Sequence, residues 1–221
     1  NDYYGDVGPS FGEGVGWIAL DATDATVNEL ASESDLQAVI DAIPGSSQAD
    51  IDPFDVCALS DGTVLVSHGF SSNAEENGSI LKIAPGGNVS LLISGSDLIS
   101  LAGGDPGAID IGNVHIDRLS DDRILAHVGF TSDDEALEPF IALSDPNGSN
   151  WQVLATQSDV LADPDMSAFD FIGDLDGKHG GVDANDNYWW HQQSPNGIIK
   201  MTGFPTYVAP TAAQNHWNLY E

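Results

Sequence analysis

Two pairs of histidines stand at the same spacing in different parts of the chain. His115 and His127 are about twelve positions apart, and so are His179 and His191. In the hairpin register argued below, the members of each pair lie opposite each other, with Cβ atoms about 5 Å apart. Two imidazoles at that separation suit one transition metal such as Zn²⁺. The alternative is that these histidines end strands and bond backbone carbonyls or water.

Two acidic loops in the last third of the chain are rich in oxygen ligands. They hold Asp174 and Asp176 in the first loop, and Asp183 and Asp186 in the second. Neither loop has the distal glutamate of an EF-hand, although carboxylates in such loops bind Ca²⁺ in many proteins. Turn chemistry explains the same residues, because Asp hydrogen-bonds its own backbone. Ca²⁺ binding is therefore a hypothesis.

Three Asn-x-Ser sequons are further candidates for modification. They begin at Asn77, Asn88 and Asn147, all in segments predicted to be loops or turns. Such positions accommodate N-linked glycans if the protein is secreted. Asn-Gly-Ser is also ordinary turn chemistry.

The strands that must position these residues begin with residues 54–70, FDVCALSDGTVLVSHGF. Two apolar runs flank Ser60-Asp61-Gly62, which is a strong local signal for a β-hairpin. The implied register sets Asp55 opposite Ser67, and Cys57 opposite Leu65. Cys57 is the one cysteine of the chain, and we expect it to be a buried small hydrophobe.

This hairpin belongs to a repeat of about 60 residues. It returns as residues 114–130, VHIDRLSDDRILAHVGF, and more loosely as residues 179–191. In the first copy a third strand is predicted at residues 79–83 and a fourth at residues 89–93. Four antiparallel strands in up-and-down order, repeated radially, make a β-propeller. We therefore predict an all-β fold.

A short helix is expected after the fourth strand of each repeat. Ser34, Ser96 and Ser158 each precede an acidic residue and an apolar position, as helix N-caps do. The chain then divides into about four repeats within a single propeller domain. Their approximate limits are residues 1–49 plus 211–221, 50–109, 110–169 and 170–210.

The first and last repeats look incomplete. Residues 15–20 and 26–30 match a third and a fourth strand, and residues 1–4 resemble a second strand. Residues 206–208 are a plausible fourth strand of the last repeat, and residues 216–220 are a candidate for the strand missing from the first. Pairing of the N- and C-terminal strands would close a four-bladed ring and remove two exposed sheet edges.

Residues 181–201, GVDANDNYWWHQQSPNGIIKM, carry a family resemblance. They resemble the blade consensus of NHL-repeat and gluconolactonase-like propellers, with a Gly-Val-Asp-like inner strand, an acidic turn, an aromatic second strand and Asn-Gly-Ile-Ile-Lys. The resemblance is at blade level and extends over most of three repeats. Those families usually have six blades with shorter repeats, and this chain departs from both features.

The resemblance also implies where a metal would bind. Peptidyl-hydroxyglycine lyases and lactonases of the resembled group place metal ligands near the channel mouth, where inner strands start. Asp55, His115 and His179 stand at that point of successive repeats. The resemblance thus implies a ring of ligands from these three residues.

The charge of the chain excludes some partners. It has 35 acidic and 5 basic residues, for a net charge of −30. Such a chain repels nucleic acid and anionic membrane surfaces, and its self-repulsion needs screening by salt or by bound cations. A halophilic organism or a calcium-rich extracellular setting fits. No apolar run approaches the length of a membrane span.

These observations favour a non-catalytic extracellular or cell-surface propeller that acts as a binding or assembly module. Its expected partners are further copies, another surface protein or a glycan, and incomplete terminal strands leave room for strand exchange into a filament or layer. The alternative is a metal-dependent lyase or hydrolase at the channel mouth. We find no complete catalytic set in the sequence.

Overall fold

The computed structural model describes residues 15–20, 25–46, 51–69, 78–109, 111–130, 137–162, 177–192 and 197–205. For residues 15–20, 25–28, 177–179, 192 and 197 it describes the backbone alone. The predicted strands at residues 1–4, 206–208 and 216–220 lie outside this part of the chain.

Antiparallel sheets dominate the described residues, as the alternation of apolar runs and turns predicts. The N-terminal hairpin pairs β1 with β2, sheet I has the order β3-β4-β5-β6, sheet II runs from β7 to β10 in the same meander, and sheet III has the order β11-β12-β13. The strands are β1 Val15–Leu20, β2 Ala25–Ala31, β3 Pro53–Ala58, β4 Val64–His68, β5 Ile80–Ile83, β6 Val89–Ile93, β7 Ile111–Arg118, β8 Ile124–Phe130, β9 Phe140–Leu143, β10 Gln152–Thr156, β11 Gly177–Val182, β12 Tyr188–Gln192 and β13 Gly197–Met201.

Successive sheets pack face to face in chain order. Leu65 of sheet I lies in one apolar cluster with Ala126 of sheet II, and Leu125 of sheet II lies in another with Trp190 of sheet III. We call the face of each sheet that is turned toward the next sheet its leading face, and the opposite face its trailing face. Meander sheets that cover one another in this way are propeller-like, as expected from the repeat.

The trailing face of sheet I is also covered. Val66 and Leu81 pack with Ala31 at the end of β2 and with Leu36 and Ile40 of the first helix. The N-terminal hairpin with its helix therefore occupies the place of a preceding sheet. The central strands β4, β5, β8 and β9 are buried on both faces, which explains why they are apolar at consecutive positions.

A short helix follows the outer strand in three repeats, as the sequence predicts. The helices are α1 Glu33–Ile40, α2 Gly95–Leu101 and α3 Gln157–Ala162. None of the described helices is long and apolar enough to cross a membrane.

The predicted N-cap residues of α1 and α2 are wrong by two positions. Ser32 caps α1 through the N–H of Asp35, and Ser94 caps α2 through the N–H of Asp97. The reason is reciprocal bonding, because Asp35 also accepts a hydrogen bond from the N–H of Ser32. The signal that identifies the cap is Ser-x-x-Asp, the pattern of a capping box, and not the serine directly before the acidic residue.

Serines in two hairpin turns are hydrogen-bonded to a carboxylate in the next sheet. The backbone N–H and the hydroxyl of Ser120 donate to Asp186, each at 2.7 Å. Ser60 donates in the same two ways to Asp122, with its N–H at 3.0 Å from Oδ1. We call this pair of bonds the Ser–Asp clamp. Asp122 and Asp186 occupy equivalent turn positions, with φ of 63° and 56°.

The clamp is stronger when its carboxylate is ionised. Burial alone would raise the pKa of Asp122, but hydrogen bonds from Ser60 and Arg118 outweigh that effect and hold the pKa below its usual value. A carboxylate with a lowered folded-state pKa stabilises the fold above its unfolded-state pKa of about 4. That contribution is lost as the pH falls through the folded-state value.

We predict that Ser60→Ala and Ser120→Ala each lower the free energy of unfolding by about 1 kcal/mol at pH 7, because each removes the hydroxyl bond to a carboxylate at an exposed site and leaves the backbone N–H bond in place. For Ser60→Ala the deficit shrinks in acid, since protonated Asp122 is a weaker acceptor. Urea unfolding in high salt at pH 7 and pH 3 measures both effects. Ser90→Ala, at an exposed serine of β6, is the control, and equal stability of S60A and S90A at pH 7 would contradict the clamp.

Candidate functional site

Asp55 and His115 meet where the inner strands β3 and β7 of adjacent sheets approach each other. Asp55 Oδ2 lies 3.4 Å from His115 Nδ1 and accepts the backbone N–H of Ile116 at 3.0 Å. The ring of Phe54 packs on His115 with centroids 4.9 Å apart. Both Asp55 and His115 are buried. The carboxylate therefore bridges two sheets through the Ile116 N–H and lies beside the imidazole.

His115 and His127 lie opposite each other on β7 and β8, as the hairpin register predicts. Their ring centroids are 6.5 Å apart. His127 Nδ1 shares a hydrogen bond of 3.1 Å with the hydroxyl of Tyr188, and its edge faces Trp190 at 5.4 Å. We call Asp55, His115, His127 and Tyr188 the polar line, because it crosses sheets I, II and III.

The members of the polar line are enclosed between the sheets. His127 and Tyr188 are each 1% exposed, and His115 is 7% exposed. Burial raises the pKa of Tyr188 well above its ordinary value, with further contributions from the charges of Asp117 and Asp55. Tyr188 therefore keeps its proton at physiological pH. The burial of these groups keeps a substrate away from them.

The expected pairing of His179 with His191 is wrong. Lys178 lies opposite His191, because the register of β11 against β12 shifts between Lys178 and Gly181. A Cβ built on Gly180 would collide with the carbonyl oxygen of Trp189. The two glycines at this point thus permit a close approach and a bulge that a hairpin of constant register lacks.

The predicted zinc site is only partly assembled by the described residues. Asp55, His115 and His127 are neighbours in the polar line, whereas His191 is an exposed residue of sheet III. Among the described side chains no group of three or more His, Cys, Asp or Glu is arranged to hold a metal ion. The side chain of His179 lies outside them, so the zinc site stays a prediction.

The predicted calcium loops are described only in part. Asp174 and Asp176 lie outside the described residues. Asp183 accepts hydrogen bonds from the backbone and side chain of Asn187 and from the indole N–H of Trp189 at 3.0 Å, and these bonds lower its pKa. The carboxylate of Asp186 belongs to the clamp with Ser120. Both carboxylates have turn and clamp roles, and calcium binding stays a prediction.

Two of the three predicted glycosylation sites are on the surface. Asn88 and Asn147 are exposed and lie in the turns that join the third and fourth strands of sheets I and II. Asn147 Oδ1 accepts the hydroxyl of Ser149 at 2.6 Å. Asn77 lies outside the described residues. Glycosylation of all three stays a prediction.

The aromatic run on β12 divides between core and surface. Tyr188 and Trp190 are buried on the trailing face of sheet III, whereas Trp189 is 38% exposed on its leading face. Lys200 lies over the Trp189 ring with Nζ 4.9 Å from the centroid. Ile198, on the same face, is 70% exposed.

Strand alternation predicts that this aromatic run divides between core and surface, but the exposure of Ile198 beside Trp189 was missed from the sequence. Trp189 stands at the position of Leu65 and Leu125 in sheets I and II, and Ile198 at that of Ile80 and Ile141. The four equivalents are fully buried under the next sheet. Aligning the repeats residue by residue would have found that sheet III has apolar residues at these positions and no following sheet among the described residues.

The comparisons with known proteins add little to this geometry. No family model and no curated protein matches the chain. Among solved structures, YCF48 from Cyanidioschyzon merolae is similar at 14% identity over 84% of this chain, with a TM-score of 0.45. The chain spans 45% of that structure's length. A likeness this weak carries no argument about function.

Cys57 is suited to packing and poorly suited to nucleophilic chemistry. Burial raises the pKa of its thiol to about 12, and the carboxylates of Asp117 and Asp55 add to the effect, whereas Arg118 opposes it. The thiolate is the reactive form. Because the pKa is so high, hardly any thiolate exists at pH 8.

We therefore predict that a disulfide reagent such as DTNB labels Cys57 at least ~100-fold more slowly in the folded protein than in the unfolded chain at pH 8. The chain unfolded in guanidinium chloride supplies the matched control. Similar rates in the two states would show an accessible, activated thiol.

A double-mutant cycle tests whether the polar line is structural. His127→Leu leaves the buried Tyr188 hydroxyl without this partner and costs about 2–3 kcal/mol of stability, and Tyr188→Phe costs about 1 kcal/mol. Because the two side chains share one hydrogen bond, the double variant is expected to cost about 1 kcal/mol less than the sum. Thermal or chemical unfolding of the four proteins gives the coupling. An additive cycle together with metal loss in H127L would favour a ligand role instead.

Proposed function

We propose that this chain is a non-catalytic binding and assembly module that works outside the cell or at its surface. The observation that carries the proposal is the leading face of sheet III. It presents Trp189 and Ile198 to solvent where sheets I and II bury Leu and Ile. An exposed apolar face on a soluble chain is typical of an interaction site.

The proposed architecture is a ring of four propeller-like units. The N-terminal hairpin is the unit that lacks strands, and residues 1–4 and 216–220 are proposed to complete it. Completion within one copy closes the ring over sheet III. If the strands of a neighbouring copy complete the hairpin unit instead, the copies join into a filament or layer. The leading face of sheet III is the contact surface in both arrangements.

The charge of the chain supports a saline or extracellular setting. With 35 acidic and 5 basic residues, copies at low ionic strength repel one another over about 10 Å or more. Salt or bound cations such as Ca²⁺ reduce that repulsion. Glycans at Asn88 and Asn147 are compatible with the same setting, because both side chains are exposed.

The Asp55–His115 contact favours a second candidate, the metal-dependent lyase or hydrolase. Two of the three implied ligands are 3.4 Å apart, and the third is His179. Burial of His115 weighs against this candidate, since a catalytic metal needs a position open to substrate. Metal analysis after incubation with Zn²⁺, with His115→Ala as the comparison, tests it: equal zinc content in both proteins excludes this site.

We predict that the purified protein is monomeric in low salt and forms regular filaments or sheets in molar salt. The physical reason is that salt screens the repulsion between acidic copies and strengthens apolar contacts. Light scattering after size exclusion and negative-stain electron microscopy measure the change. A neutral-surface protein of similar size, treated identically, controls for salting out. Discrete monomers at every salt concentration, with and without Ca²⁺, would contradict the assembly function.

A further inference from the structure

We propose that the exposed leading face of sheet III binds the N-terminal hairpin of a second copy, so that copies join head to tail. This inference rests on the proposed assembly function and names its partner and its contact surface. The partner has the same sequence, and its hairpin with α1 is the docking element.

The leading face of sheet III has apolar residues at the same positions as the leading faces of sheets I and II. The leading faces of sheets I and II are each covered by the trailing face of the next unit of this chain. Sheet III repeats the same apolar positions with Trp189 and Ile198. The surface that fits this face is therefore the trailing side of a unit of this same repeat, as in the two interfaces already formed.

The N-terminal hairpin is the first unit of the described residues. Its leading side packs on sheet I through Ala31, Leu36 and Ile40. No described sheet precedes it. A two-stranded hairpin is marginal by itself and gains stability when a third element covers it. A second copy can therefore supply a covering element to both the hairpin and sheet III.

The exposure of Ile198 indicates whether the leading face of sheet III contacts the hairpin of its own copy or that of another copy. At 70% exposed, its side chain is not covered by the hairpin of its own chain. Burying an isoleucine side chain stabilises a contact, and Trp189 adds a larger apolar surface. The hairpin of a second copy is then the partner that supplies this burial.

Lys200 offers one contact of matching charge to the same partner. It lies on the exposed face, over Trp189, whose indole N–H is bonded to the Asp183 carboxylate. The exposed Glu29 on β2 of the hairpin is opposite in charge to Lys200, so these two side chains are complementary across the proposed contact.

The proposed contact lacks the Ser–Asp clamp. Ala184 occupies the turn position of sheet III that is equivalent to Ser60 and Ser120. Alanine has no hydroxyl, so this turn has no side-chain donor for a carboxylate of a following unit. Gly62, with φ of 85°, occupies the turn position of sheet I that is equivalent to Asp122 and Asp186, so sheet I has no carboxylate acceptor at this position. The clamp thus holds the interfaces between sheets I and II and between sheets II and III, and the contact between copies forms and dissociates without it.

Two different surfaces in contact make a heterologous interface. Such an interface gives an open polymer unless its rotation closes a ring. A copy that has a normal hairpin but a damaged leading face adds to one end of a polymer and stops growth there. This behaviour distinguishes head-to-tail assembly from a symmetric dimer contact.

The first test labels the face directly. In an Ile198→Cys variant the new thiol is the accessible one, because Cys57 is largely buried with a pKa of about 12. We expect rapid maleimide labelling in low salt and labelling at least ~10-fold slower in assembled material. Equal labelling rates in polymers and monomers would overturn the contact, and protection in a monomer at low salt would show that the ring closes within one copy.

The second test uses a chain terminator. Ile198→Asp places a charge on the face, and Leu91→Asp, at an exposed apolar residue of β6, is the matched control. Added at one tenth of the wild-type concentration, I198D is expected to shorten polymers to roughly ten copies, while L91D leaves their length unchanged. Thermal unfolding checks that both variants fold. Ile198→Ser is the milder substitution to use if I198D is unstable.

The outcomes separate the inference from the function on which it rests. If the wild type never assembles, the proposed function fails. If the wild type forms polymers that I198D neither joins nor shortens, assembly stands and the contact proposed here is wrong. Termination by I198D, with L91D inert, supports the head-to-tail contact.

Discussion

Each sheet of this protein has two apolar faces, and the structure depends on covering both. Leu65 and Val66 are adjacent on β4 and point to opposite faces, yet both are fully buried. The central strands of such a sheet have no solvated side, so the sheet needs a neighbour before it and a neighbour after it. Sheets I and II meet this requirement within the chain. Among the described residues, sheet III meets it on its trailing face only, and the proposed assembly follows from that difference.

The shortage of basic residues determines how neighbouring sheets are joined. With 5 lysines and arginines against 35 carboxylates, salt bridges can serve few of the acidic groups. Arg123 binds Asp121 and also donates to the carbonyl oxygen of Pro205 at 2.6 Å. Elsewhere the carboxylates accept from neutral donors, as Asp122 and Asp186 do from serine. Hydrogen bonds to serine tie the sheets together without requiring cations.

The sequence was sufficient for the strands and for most of their register because both are local. Alternating apolar runs around a Ser-Asp-Gly turn specify a hairpin, and the repeat of about 60 residues carries that prediction from sheet I to sheet II. The opposition of His115 and His127 follows from this. The same reasoning failed at His179, where Gly180 and Gly181 shift the register of β11. A glycine pair signals a bulge, but the spacing of the histidines obscured it.

Contacts between units could not be predicted from the sequence for a different reason. Ser60 and Asp122 are far apart in the chain, and nothing in either turn shows that one accepts from the other. Burial is equally non-local: Trp189 and Trp190 are chemically identical neighbours, yet one is core and the other is surface. Their difference depends on whether another sheet lies above each face. The repeat alignment supplies this information only after the packing of sheets I and II is known.

The polar line is best explained by the same need to join covered faces. Asp55 accepts from the backbone of the next sheet, and Tyr188 reaches back to His127 from the sheet that follows. Each bond therefore crosses an interface between sheets, as the clamp does at the turns. A catalytic group requires access to substrate, whereas a group that specifies the alignment of buried sheets requires the burial that these side chains have. Polar pairs inside apolar interfaces restrict how the sheets slide past one another, because a shifted pair would leave buried polar atoms without bonds. These buried titratable residues thus set the order and alignment of the units, and among the described sheets the leading face of sheet III is the one left for another copy.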